Sequence, residues 1–211
     1  MGAVAGLAAT PIPLLAANRF RRGTASPPPA LLARRLRAVI VMILTVLAGA
    51  AIAAIGSGWW TPLYAGCALA AVTAAAVDLA ELRLPDVLVY PLLAAGVAVA
   101  LTTAVADPSV QLWIPVVGAV SYGGWMLLVA LAVPGSYGLG DVKLAAAVGL
   151  WTGTLSWTTL ATAVLIGQLL ILASLLAARL PRHGTGPRTS SDAPLGPALI
   201  VGALLAILLG G

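Results

Sequence analysis

The chain has 211 residues, of which 61% are hydrophobic and 8% charged, and its mean hydropathy is +1.08. These values exclude an ordinary soluble domain, whose helices and loops need a charged surface, and read as an all-α, polytopic membrane protein. The net charge of +5 does not indicate a nucleic-acid partner, because the basic residues sit in the gaps between apolar runs.

Taken in chain order, apolar segments run at about 1–17, 38–56, 61–77, 87–105, 112–133, 142–152, 154–178 and 195–211. They predict a transmembrane helical bundle of about 7–8 segments forming a single integral membrane domain over residues 1–211. Residues 1–17 have no basic stretch ahead of them and arginines behind them, the reverse of a secretory signal, so they read as a retained first span. Residues 18–37 form an Arg/Pro-rich loop, and "RRGTASPPPALLARRLR" suits an extended strip against anionic headgroups. Residues 38–178 are the helical core. Within it, Cys67 is a small packing residue, and a lone cysteine forms neither an intrachain disulfide nor a cysteine-rich zinc site. The segment from Val142 to Thr152 has about 11 residues, short of the ~20 needed for a full crossing. Residues 179–194, rich in glycine, proline and serine, read as a flexible loop in which His183 is solvated, and 195–211 as the last span.

Cytoplasmic loops carry the lysine and arginine excess. With the N-terminus outside and every segment crossing, the inner loops are 18–37, 78–86, 134–143 and 179–194, and these hold all 11 basic residues. The outer connections, around Gly56–Thr61, Ala106–Gln111 and Gly153, carry Asp107 as their one charge. If the short segment did not cross, the loop 179–194 would move outside with its arginines, so the rule favours crossing.

Five of the six acidic residues, Asp78, Glu81, Asp86, Asp141 and Asp192, fall in or beside the inner loops. Asp78 terminates the apolar run "AAVTAAAV", and Asp141 begins a new one after "PGSYGLG". An aspartate within a span costs about 2.5–3.5 kcal/mol at the centre and less near the interface, which marks both as functional candidates. Structural roles compete: Asp141 can N-cap a helix starting at Val142, Asp78 can pair with Arg83, and Asp86 can cap the helix after Pro85. Glu81 and Asp192 read as solvated.

Taken together, Asp78 and Asp141 support a sharper reading. If their segments pack side by side, two carboxyls face each other in a partly dehydrated cleft, where close like charges do not both ionise and the pair shares a proton. The ionised partner then activates a water against a peptide carbonyl while the protonated one donates to the carbonyl oxygen, with no metal or other cofactor. Gly138 and Gly140 would allow unusual backbone angles and the close approach of an extended substrate, and Pro85 would break the helix after Asp78. The substrate itself must be unwound, because helical amides are shielded.

These residues resemble a known family. "GLGDVKL" is similar to the G-x-G-D motif of membrane aspartic proteases, and its lysine and leucine narrow the likeness to the prepilin (type IV leader) peptidases. "DLAELRLPDVLVYPLLAAG" resembles that family's first catalytic segment, and "APLGPALIVGALL" its closing Pro-x-Gly-Pro helix; the likeness covers roughly residues 65–210. It implies Asp78 and Asp141 as catalytic residues, with Gly138, Gly140, Lys143 and Pro85 supporting the motif. It also implies removal of a basic leader from a pilin-like precursor protein, at the cytoplasmic face of the cytoplasmic membrane, with the lipid bilayer as the other partner. The family's longer members carry paired cysteines that bind zinc, and they methylate the new N-terminus. Here "NRFRRGTASPPPALLARRLR" has no cysteine, so neither zinc nor methyl transfer carries over. Two readings from other classes stand beside this one: a transporter or channel, marked by carboxylates at the bilayer midplane, and a non-catalytic membrane scaffold.

Overall fold

A computed structural model describes residues 31–58, 60–81, 84–107, 111–133, 137–179 and 195–210, and every regular element among them is an α-helix. In chain order these are α1 (Leu31–Ile55), α2 (Thr61–Glu81), α3 (Asp86–Ala106), α4 (Trp113–Ala132), α5 (Leu139–Leu155), α6 (Trp157–Arg179) and α7 (Gly196–Gly210). Five of them, α1, α2, α3, α4 and α6, are long and apolar enough to cross a membrane. The expected polytopic helical bundle is therefore present. The segment 1–17, the loop 180–194 with His183 and Asp192, and Arg83 lie outside the described residues.

The ends of several helices meet at one end of the bundle. A cavity of about 400 Å³ is lined there by Ile55 of α1, Tyr64 of α2, Thr103 of α3, Thr154 of α5, Thr159 of α6 and Ile207 of α7. Thus α1, α3, α5 and α7 run toward that end, and α2 and α6 start from it. Trp113 and Trp157, at the starts of α4 and α6, pack there with ring planes tilted by 60° and centroids 5.3 Å apart, the placement expected of tryptophans at a membrane interface. The turn into α2 bends at Gly56, whose φ of +86° only glycine adopts without strain. Thr61 fixes this turn: its hydroxyl donates to the Gly56 carbonyl and accepts from the Gly58 N–H, each at 2.8 Å.

Two helices are central. In α2, 61% of the span is buried against 22–33% in the other four candidate spans, because its small residues Ala68, Ala71, Ala74, Ala75 and Ala76 let neighbours close in. The other is α5, whose Leu144, Ala145, Ala147, Val148, Trp151 and Thr152 are buried by α3, α4, α6 and α7. Glycine makes the closest contacts. A methyl on Gly118 of α4 or Gly149 of α5 would collide with the other's carbonyl oxygen, and one on Gly202 of α7 would sit 2.7 Å from the Cα of Gly167 in α6. Without a hydrophobic driving force inside lipid, such backbone-to-backbone packing is what holds spanning helices together.

Several sequence boundaries need correction. The short segment is not Val142–Thr152 but α5, 17 residues from Leu139 to Leu155 and about 25 Å long at 1.5 Å per residue. It continues through Gly153, which packs on Pro115, so the turn into α6 is at Ser156. Likewise α1 already begins at Leu31, so the end of the Arg/Pro-rich stretch is helical. In both places glycine, proline or arginine reads as loop, while packing or the apolar run that follows extends the helix.

Candidate active site

At the end of the bundle away from the cavity, α2 finishes and α5 begins. Asp78 lies in the last turn of α2 and is 4% exposed. Its Oδ2 accepts the backbone N–H of Gly196 at 2.9 Å, across 118 residues of chain. The local sequence explains the bond. Leu195 receives the first backbone bonds of α7, so Gly196 is the first helical residue and its N–H has no partner within the helix. Pro197 follows with no N–H at all. The Gly196 N–H, free within the helix, goes to Asp78, with the positive end of the α7 dipole behind it. Glycine is required: a Cβ at 196 would lie 2.9 Å from Asp78 Oδ2 and 3.3 Å from its Cγ.

Asp141 is the third residue of α5, not an N-cap of a helix starting at Val142. The N-cap is Gly138, and Asp141 reaches back to accept its N–H on Oδ2 at 3.2 Å, the acid half of a capping box. The roles expected of the two glycines are corrected in part. Gly138 has φ −78° and ψ 151°, ordinary extended backbone open to any residue. Gly140 does provide close approach, but to this chain: a Cβ there would meet the Leu84 Cβ at 2.8 Å and its carbonyl oxygen at 3.1 Å. The loop leaving Asp78 is thereby pressed against the first turn bearing Asp141. Pro85 does stand at the break after α2, as the extended N-cap of α3.

The end of α2 that carries Asp78 and the start of α5 that carries Asp141 converge, with Leu84 packed on Gly140. They do so without the side-by-side packing of their helices that the sequence suggested. Apart from the Tyr64–Thr154 hydroxyl contact at the far end, little joins α2 to α5 directly; α3 and α7 each pack against both. Each carboxyl commits Oδ2 to a glycine N–H, and Oδ1 of each has no hydrogen-bond partner among the described residues. Neither lies near the middle of its helix, which removes the midplane feature expected of a transporter.

Asp86 is the first residue of α3 and makes no capping bond. Its Oδ1 instead accepts Lys143 Nζ at 2.6 Å, and the ammonium also donates to the Tyr90 hydroxyl at 3.1 Å and lies 4.7 Å from the Tyr90 ring centre. The contact ties α3 to the first turn of α5, two residues from Asp141. Lys143→Glu is expected to lower activity several-fold, and adding Asp86→Lys to restore most of it; initial rates on reconstituted enzyme check this. Independent losses that simply multiply would count against a positioning role.

Side-chain inventories of the sequence missed three residues. Gly196 acts through its backbone, and the signal was the Pro-x-Gly-Pro run. Tyr137 borders Asp141; burial, and after it the Asp141 charge, pushes its phenol above the ordinary range. Glu81, expected to be solvated, has Oε1 buried without a hydrogen-bond partner among the described residues. Among the described residues no three His, Cys, Asp or Glu side chains gather as metal ligands.

Comparison with known proteins bears on the same stretch. The model of the type IV leader peptidase family matches residues 64–180, more than half of the chain, a span that includes both aspartates. No curated protein and no solved structure matches it.

Proposed function

The chain belongs to the type IV leader peptidase family and is a membrane-embedded peptidase; from this footing we propose that it is an aspartic endopeptidase with Asp78 and Asp141 as its dyad. The observation that carries the proposal is the convergence of the two helix ends, where Leu84 packs on Gly140 and each aspartate has Oδ2 held by a glycine N–H and Oδ1 without a partner among the described residues. Two interacting carboxyls in a cleft hold a single proton between them. A water bound at the free oxygens gives a proton to the ionised partner as its oxygen attacks the scissile carbonyl carbon. The protonated partner donates to the carbonyl oxygen, producing a neutral tetrahedral diol. Collapse returns a hydroxyl proton to one carboxylate, a carboxyl proton moves to the departing nitrogen, and the C–N bond breaks. The products are an acid and an amine, and the dyad again holds one proton.

The substrate is a pilin-like precursor, cut between its leader and its apolar N-terminal helix at the cytoplasmic face of the cytoplasmic membrane. The charge distribution supports this orientation: all 11 basic residues fall in the connections, or the helix ends beside them, that are cytoplasmic when the N-terminus lies outside.

Full-length enzyme in liposomes, incubated with a basic-leader precursor, is expected to release one new N-terminus at the leader boundary, unmethylated, read by N-terminal sequencing and intact mass. Absence of a cut across a panel of such precursors would overturn the assignment.

A further inference from the structure

Four described acidic residues lie toward the dyad end: Asp78, Glu81, Asp86 and Asp141. Three have donors within the chain, namely the Gly196 N–H for Asp78, the Gly138 N–H for Asp141 and the Lys143 ammonium for Asp86. Glu81 is different. Its Oε1 is shut off from solvent and has no hydrogen-bond partner among the described residues. A carboxylate oxygen removed from water without a donor is costly, and the cost is relieved when a donor arrives with a ligand.

Its position suggests which ligand. Glu81 is three residues beyond Asp78 in α2, hence on the same face and about 4.5 Å further along the axis, toward the helix end. Beyond it the chain runs to Leu84, which packs on Gly140 beside Asp141. Glu81 therefore stands at the rim of the dyad, one turn beyond Asp78 toward the end of the bundle. An extended peptide advances about 3.3 Å per residue, so a long side chain one to three positions from the scissile bond reaches this rim.

We propose that Glu81 is a specificity-determining residue that accepts the ammonium or guanidinium of a basic side chain on the leader side of the scissile bond. This rests on the endopeptidase reading and adds to it the side chain that reads the substrate's charge. Asp86 does not compete, because Lys143 already occupies it, and the dyad oxygens are committed to backbone or to the reacting carbonyl.

The test uses full-length enzyme in liposomes and precursor peptides that differ only in the leader residues near the cut, lysine in one and glutamate in the other. Wild type is expected to favour the lysine peptide in kcat/KM. Glu81→Gln, which keeps the shape and removes the charge, is expected to lose about 10-fold or more on the lysine peptide, mainly through KM. It should leave the glutamate peptide nearly unchanged and the thermal midpoint undiminished. Glu81→Lys is expected to reverse the preference. If Glu81→Gln keeps the wild-type preference, or loses the same factor on both peptides, Glu81 does not read charge, while the dyad assignment stands. If wild type cleaves neither peptide, the endopeptidase reading fails and this inference goes with it.

Discussion

Asp78→Asn and Asp141→Asn, made one at a time, are each expected to reduce leader cleavage by at least about 1,000-fold, with membrane insertion unchanged. Asparagine keeps the size of the side chain and can still accept the N–H of Gly196 or Gly138, so the helix ends should hold. What it cannot do is share a proton. One acid alone lacks either the base that activates water or the acid that protonates the carbonyl oxygen, so the two substitutions act on a single unit. The double variant is therefore expected to be scarcely worse than either single one. Cleavage rates on detergent-free liposomes, with membrane fractionation as the control, check both statements. A double variant that loses the product of the two factors would mean independent roles.

Gly196→Ala carries the second largest effect. The new methyl would lie 2.9 Å from Asp78 Oδ2, so either the carboxyl swings away or the start of α7 retreats. Either movement weakens the N–H bond and misaligns the free oxygen, and a displacement of about 1 Å at a reacting group costs on the order of 100-fold in rate. The loss should fall on kcat more than on KM, since the peptide's own contacts are untouched. Gly66→Ala is the matched control, because a Cβ at that helical glycine meets nothing within 4 Å, and its activity is expected to be unchanged. Equal behaviour of the two variants would show that Asp78 does not depend on the start of α7.

Much of this arrangement is legible in the sequence, for definable reasons. A charge inside an apolar run stands out because the bilayer penalises it, and that is why Asp78 and Asp141 are visible as candidates. The seven helices of the described residues coincide with apolar runs that hydropathy marks. What escapes is what depends on backbone and partners. "GLGD" reads as a loop by glycine content, yet Gly138 caps and Gly140 lies in the first turn of α5, because Leu84 leaves no room for a side chain there. Asp86 reads as a cap and proves to be a bridge to Lys143, since its partner lies 57 residues away. Gly196 has no side chain to attract notice, although its N–H makes the one described backbone bond to Asp78. The juxtaposition of the two aspartate-bearing helix ends depends on α3 and α7, each packed on both α2 and α5, and no periodicity in either segment reports it.

The meeting of residues 78 and 141 is tested most directly by cross-linking in native membranes. With Cys67→Ala removing the only native thiol, Asp78→Cys/Asp141→Cys is treated with a short thiol-specific bifunctional reagent and followed by gel mobility. The expected result is an efficient intramolecular cross-link, as for Asp78→Cys/Gly196→Cys, and none for Asp78→Cys/Asp107→Cys, whose positions lie at opposite ends of the bundle. Failure of the 78/141 pair under conditions that join 78 to 196 would contradict a shared site.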